Sequence, residues 1–177
     1  MHIKTLILII SFFSLVSNYI VFETSKLQTQ IFSENNNSLL NIKNTNNFFY
    51  PSLAYNSVPF LTYLSMDYFN TQSYDKAIDI LHESLEKNEN CLYTKYLLSR
   101  NYIFIKDYKN AEILLDSLFI INPKIETISS LYFSLLGEMK NEEKLISLRP
   151  SIEGINNQLI WDYYFSAIIR SKETIIE

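Results

Sequence analysis

The side chains in this chain that could do chemistry are few and scattered. His2 and His82 are the only histidines. His82 falls on the expected outer face of a helix, where a solvated imidazole is the ordinary outcome and no nucleophile stands at a useful spacing. Asp75, Asp79 and Glu83 are spaced four apart, so a helix would align their carboxylates. Such a stripe could hold a cation, but with Lys76 and Lys87 nearby it reads as a solvated acidic face. Glu142-Glu143 opens a helix, where two carboxylates suit the helix dipole better than acid–base work. Cys91 is the single cysteine, which rules out an internal disulfide and a thiolate metal cluster. No Gly-rich phosphate loop or nucleophile–base motif occurs, so no catalytic residue, metal or cofactor is expected.

Composition narrows the class further. The chain has 177 residues, 47% of them apolar, enough for one ordinary core. Only two Gly and four Pro interrupt long Leu/Ile/Tyr runs, which favours helices over hairpin-rich sheets. The net charge is −4, from 15 basic and 19 acidic residues. With no basic stripe, nothing neutralises phosphates, and nucleic acid is not an expected partner.

The elements that must position these side chains come in a register. Leu64-Ser65-x-x-Tyr68, Tyr74-x-x-Ala77 and Leu81 return 34 residues later as Leu98-Ser99-x-x-Tyr102, Tyr108-x-x-Ala111 and Leu115. A fixed period of this size is the mark of stacked helix–turn–helix units. Helices are expected near 59–70, 74–88, 92–105 and 108–121, with Ser57 as cap of the first and Pro59 in its first turn. Joins as short as Thr71-Gln72-Ser73 and Lys106-Asp107 force antiparallel neighbours. Ser65 with Ala77, and Ser99 with Ala111, would let the paired helices approach closely at their crossing. Further helices are expected at 127–139, 142–148 and 158–171, with Leu145 in the Ala position and Arg149-Pro150 as a stop.

In these residues the chain resembles the tetratricopeptide repeat family, whose 34-residue pattern runs aromatic, Leu-Gly, Tyr, Ala, Phe/Leu, small, Pro. Leu64-Ser65 and Leu98-Ser99 stand for its Leu-Gly, and Tyr68, Tyr102, Ala77, Ala111 and Pro123 match directly. Leu61 and Lys95 replace the aromatic residue, Leu118 a small one and Glu89 a Pro. The match covers 58–125 well and decays beyond it. The resemblance implies an all-α, short right-handed helix–turn–helix solenoid over 57–171 that binds a protein partner without catalysis. In that family the first helices line a concave face that receives an extended peptide or a helix. The corresponding positions are Thr62, Met66 and Phe69 in one repeat and Tyr96, Arg100 and Ile103 in the next. Thr62 and Met66 stand where one branch of the family grips a terminal carboxylate with Lys and Asn, so that ligand class is not expected. A rival reading for a period near 35 is an RNA-binding helical hairpin; another is an accessory subunit of a separately encoded enzyme.

The amino end reads as an address. Lys4 precedes an apolar run over 5–22, and a site for signal cleavage is poor, since Ser17 at −1 places Leu15 at −3. Residues 1–22 are therefore read as a signal peptide or a membrane anchor, and the chain as exported or tethered. Residues 23–56 follow as a flexible linker, with seven Asn in the 15 positions 33–47. Phe48-Phe49-Tyr50 would close that linker as a cap on the first helix pair. The last helix, with Trp161, Tyr164, Phe165 and Ile168, is apolar on much of its circumference and offers a surface for a partner or for self-association.

Overall fold

The computed structural model describes residues 2–32, 53–54 and 56–173. Eight helices make up these residues, with no strand among them: α1 (His2–Phe32), α2 (Phe60–Asn70), α3 (Tyr74–Lys87), α4 (Leu92–Phe104), α5 (Tyr108–Ile121), α6 (Glu126–Glu138), α7 (Glu142–Ile152) and α8 (Gln158–Lys172). The chain divides into two compact units, Met1–Cys91 and Leu92–Glu177. The boundary falls between the two clear sequence repeats, inside the span 57–171 expected as one domain.

The 34-residue period is written in the backbone three times. Helices α2, α4 and α6 end at 70, 104 and 138, and α3, α5 and α7 begin at 74, 108 and 142. Each join holds a non-glycine residue in the left-handed region: Gln72 (φ 58), Lys106 (φ 62) and Lys140 (φ 54). Each makes the same pair of bonds. The amides of Gln72, Lys106 and Lys140 donate to the carbonyls of Phe69, Ile103 and Gly137, and those of Ser73, Asp107 and Asn141 to Tyr68, Tyr102 and Leu136. This is the Schellman arrangement, which satisfies carbonyls that a helix end leaves without donors. In the second and third joins the next residue then caps the following helix with its side chain: Asp107 accepts from the Asn110 amide at 3.3 Å, and Asn141 from Lys144 at 3.1 Å, whereas Ser73 makes no such bond. Because a left-handed L-residue costs about 1–2 kcal/mol, Lys106→Gly should raise stability by about 0.5–1 kcal/mol, the remainder being offset by the freer unfolded chain. A urea titration of the two proteins would check it.

The first two helix pairs close on small residues. Ala77 and Ala111 are wholly buried, and Ser65 and Ser99 nearly so. The hydroxyls of Ser65 and Ser99 return to the carbonyls of Thr62 and Tyr96 at 2.6 and 2.7 Å, which lets them sit in an apolar crossing. In the third pair the same two positions are Phe133 and Leu145, both wholly buried. Two large side chains there set α6 and α7 farther apart, since the spacing of packed helices follows the side chains at the contact. The close approach moves to α6 and α8 instead. A Cβ on Gly137 would lie 3.0 Å from the Ala167 Cα and 3.2 Å from its carbonyl oxygen. Phe133 fills the space so made, edge-on to Phe119 at 5.6 Å and to Tyr164 at 5.4 Å.

Several expectations need adjustment. α1 does not stop at 22 but continues to Phe32, so residues 23–32 are helix rather than linker. Leu27 and Ile31 are buried in a cluster with Ala54, Phe60, Leu61, Leu64 and Ile80. The Asn-rich stretch and Phe48-Phe49-Tyr50 lie outside the described residues. Ser57 is not the cap of α2: its φ is 63, and Pro59 takes the cap position. Asn56 organises that turn, accepting from the Val58 amide at 3.2 Å and donating to the Tyr63 hydroxyl at 2.8 Å. α7 passes through Pro150 to Ile152. The ring deprives only the Ile146 carbonyl of its helical donor, and the wholly buried Ile152 holds the last turn in the core. Asn157 caps α8, accepting from Leu159 at 3.0 Å and Ile160 at 3.4 Å.

Candidate functional site

The residues expected to meet a partner do not share one environment. In the first unit Thr62 is wholly buried, its hydroxyl 2.6 Å from that of Ser84 on α3, so it ties the hairpin together and offers nothing to a ligand. A polar pair in such a place needs both members, because a lone buried hydroxyl loses its water without replacement. Met66 and Phe69 lie one and two turns along α2 and are half-buried. Phe69 stands edge-on to Tyr74 across the join, with centroids 5.4 Å apart.

In the second unit Tyr96, Arg100 and Ile103 are half-buried on α4. Arg100 follows Tyr96 by four residues, so both leave the same face of the helix. The guanidinium carbon lies 6.0 Å from the Tyr96 ring centre, the outer reach of a cation–π contact. Ile103 and Tyr96 also pack against the core of the unit. The α4 face is thus one ring, one planar cation and one aliphatic side chain, each half-buried, with the ring and the aliphatic side chain part-seated in the core.

The polar constellation with the clearest electrostatic signature lies elsewhere, where the sequence pattern had no template for it. The Tyr132 hydroxyl on α6 donates to Asp116 Oδ1 on α5 at 2.7 Å, and Lys144 Nζ on α7 lies 2.9 Å from the same oxygen. Burial first, then the Asp116 charge and hydrogen bond, push the Tyr132 phenol far above its ordinary value, so it stays protonated. Partial burial raises the Asp116 carboxyl, but the hydrogen bonds from Lys144 and Tyr132 and the lysine charge outweigh it, leaving the group below 3.8. A phenol this hard to ionise beside a carboxylate already paired with lysine suits a three-helix tie, not proton transfer. Asp116→Ala would leave the Tyr132 hydroxyl buried without its acceptor, a loss of about 1–3 kcal/mol in urea unfolding. Since the folded carboxyl is the stronger acid, its contribution holds above the unfolded value near 3.8 and fades as pH falls through the lower folded value. The wild-type and Asp116→Asn unfolding midpoints should therefore be farthest apart above pH 3.8 and converge as pH falls through the lower folded value.

The remaining candidates are peripheral. His82, Asp75, Asp79 and Glu83 are exposed on α3, and among the described residues no group of three His, Cys, Asp or Glu is placed to hold a metal. Cys91 is buried as a free thiol. On α8, Leu159, Tyr163, Phe165 and Ile169 are exposed, as the apolar circumference implied. Trp161 stacks on Phe165 at 5.8 Å and donates its indole N–H to the Ile155 carbonyl at 3.0 Å. α1 carries a stretch, Ile3–Thr29, long and apolar enough to cross a membrane, which suits a signal or an anchor alike. No family model matches the chain, and no curated protein or solved structure matches it.

Proposed function

We propose that this chain is a tetratricopeptide-like, right-handed solenoid, exported or held at a membrane by α1, that binds a protein partner through its first helices and catalyses nothing itself. The observation that carries this reading is the helix–turn–helix geometry recurring every 34 residues, with Gln72, Lys106 and Lys140 at the same left-handed turn position. Units of this kind stack into surfaces rather than build reaction centres. The recognition residues are Tyr96, Arg100 and Ile103 on α4, with Met66 and Phe69 on α2. Tyrosine and arginine are enriched among the side chains that dominate binding energy. Lys4 before the apolar run and Glu23 after it favour a cytoplasmic amino end and an exported repeat region.

Crosslinking of the full-length protein in its own cells, beside the Tyr96→Ala/Arg100→Ala double variant, tests this. A discrete protein recovered with wild type and lost with the variant is the expected result. Recovery of nothing, or of the chain alone in both samples, contradicts it.

A further inference from the structure

α1 changes solvent along its length without a break. From Ile3 to Tyr19 every side chain is exposed, on all sides of the helix, including Leu8 at 70%, Phe13 at 65% and Leu15 at 70%. From there burial becomes periodic: Ile20 and Glu23 are half-buried, and Thr24, Leu27 and Ile31 are buried, while Ser25, Lys26 and Thr29 stay exposed. That spacing is a single helical stripe. The stripe enters the cluster formed by Phe60, Leu61 and Leu64 of α2 and Ile80 of α3, and Phe32 stands edge-on to Tyr63 at 5.4 Å. One half of the helix therefore lacks any protein cover, and one stripe of the other half enters the core.

We propose that α1 is a retained transmembrane anchor that doubles as a core helix of the unit Met1–Cys91, so that lipid covers 5–22 and the first helix pair is seated directly at the membrane surface. Residues 5–22 rise about 27 Å, close to the roughly 30 Å of a hydrocarbon core. A helix apolar on every side with no protein around it meets its backbone and side-chain needs in lipid. Lys4 and the pair Glu23 and Lys26 bracket the run where headgroups would lie. Cleavage after Ser17 would instead strand Tyr19, Val21 and Phe22, exposed at 63%, 62% and 64%, on a helix whose Leu27 and Ile31 stay in the buried cluster. The inference rests on the membrane-tethered reading above and goes further, because a helix seated in the core leaves no spacer between bilayer and repeat.

The test uses the full-length chain, tagged at its carboxyl end, in cell membranes washed with alkaline carbonate. Trypsin releases peptide 5–26, whose recovery from the washed membranes shows that the segment is retained. In a Cys91→Ser background, Ser25→Cys and Thr29→Cys should react with a maleimide at least ten times faster than Leu27→Cys and Ile31→Cys. Retention with that contrast is the expected result. A shortened, soluble product leaves export standing and overturns the anchor. Full-length protein in the wash, or self-associated in solution, overturns the tethered reading itself. Membrane retention with equal labelling at all four positions overturns the seating alone.

Discussion

Gly137→Val is expected to cost about 3 kcal/mol or more, a large share of what a domain of this size has to spend. The reason is local and geometric. The first atom of any side chain at 137 would stand 3.0 Å from the Cα of Ala167, and a backbone cannot swing aside as a side-chain tip can. α6 and α8 would have to separate, and with them the packing of Phe133 against Tyr164. Replacing glycine within a helix ordinarily gains up to about 1 kcal/mol, so the clash must exceed that gain to appear at all. Adding Ala167→Gly should recover only part of the loss, because the Cα and carbonyl oxygen of residue 167 remain in place. Urea unfolding of the single and double variants reads both effects. A valine variant as stable as wild type would mean that α8 is not held against α6.

Leu145→Ala restores the residue that the repeat pattern favours, and it should nonetheless destabilise the protein by about 2–5 kcal/mol. Ala77 and Ala111 sit at the same place in the first two pairs because Ser65 and Ser99 face them across a close crossing. In the third pair Phe133 replaces the serine, and Leu145 fills the wider gap that results; its removal leaves a void lined by wholly buried neighbours. The converse change, Ala111→Leu, should cost about 1–3 kcal/mol by overfilling a tight crossing. Opposite volume changes at positions related by 34 residues would then both weaken the fold. Were Leu145→Ala neutral, the third pair would not have the separate packing described here.

This pair of positions also marks where the sequence was readable. Turn positions follow from the period and from short polar joins, and the helix ends came within a few residues because each join uses the same backbone motif. Leu145 looked like decay of the pattern; only together with Phe133 does it become a compensated exchange, and no rule of spacing links 133 to 145. Gly137 gave no signal either, since a glycine near a helix end ordinarily marks a stop rather than a contact. The continuation of α1 past Phe22 was hidden by its composition: Glu23, Thr24, Ser25 and Lys26 are polar enough to read as linker, although Thr24, Leu27 and Ile31 keep helical spacing. The tie of Asp116, Tyr132 and Lys144 joins three helices, so its members are neighbours only once the pairs have packed. Among the proposed recognition residues, the pattern placed Thr62 on a binding face because it counted positions, while burial assigns that side chain to the hairpin core.

The α4 face as a recognition surface is tested most directly by an equilibrium titration of the crosslinked partner, once purified, against the full-length chain. Wild type, Tyr96→Ala, Arg100→Ala and the double variant would be compared at one salt concentration. Kd should weaken by roughly 30-fold or more in the double variant, the size of a hot spot worth about 2 kcal/mol. The two single variants should also show a coupling, because the guanidinium and the ring share one face. Four dissociation constants within twofold of one another would contradict it and remove α4 as the surface through which this chain recognises its partner.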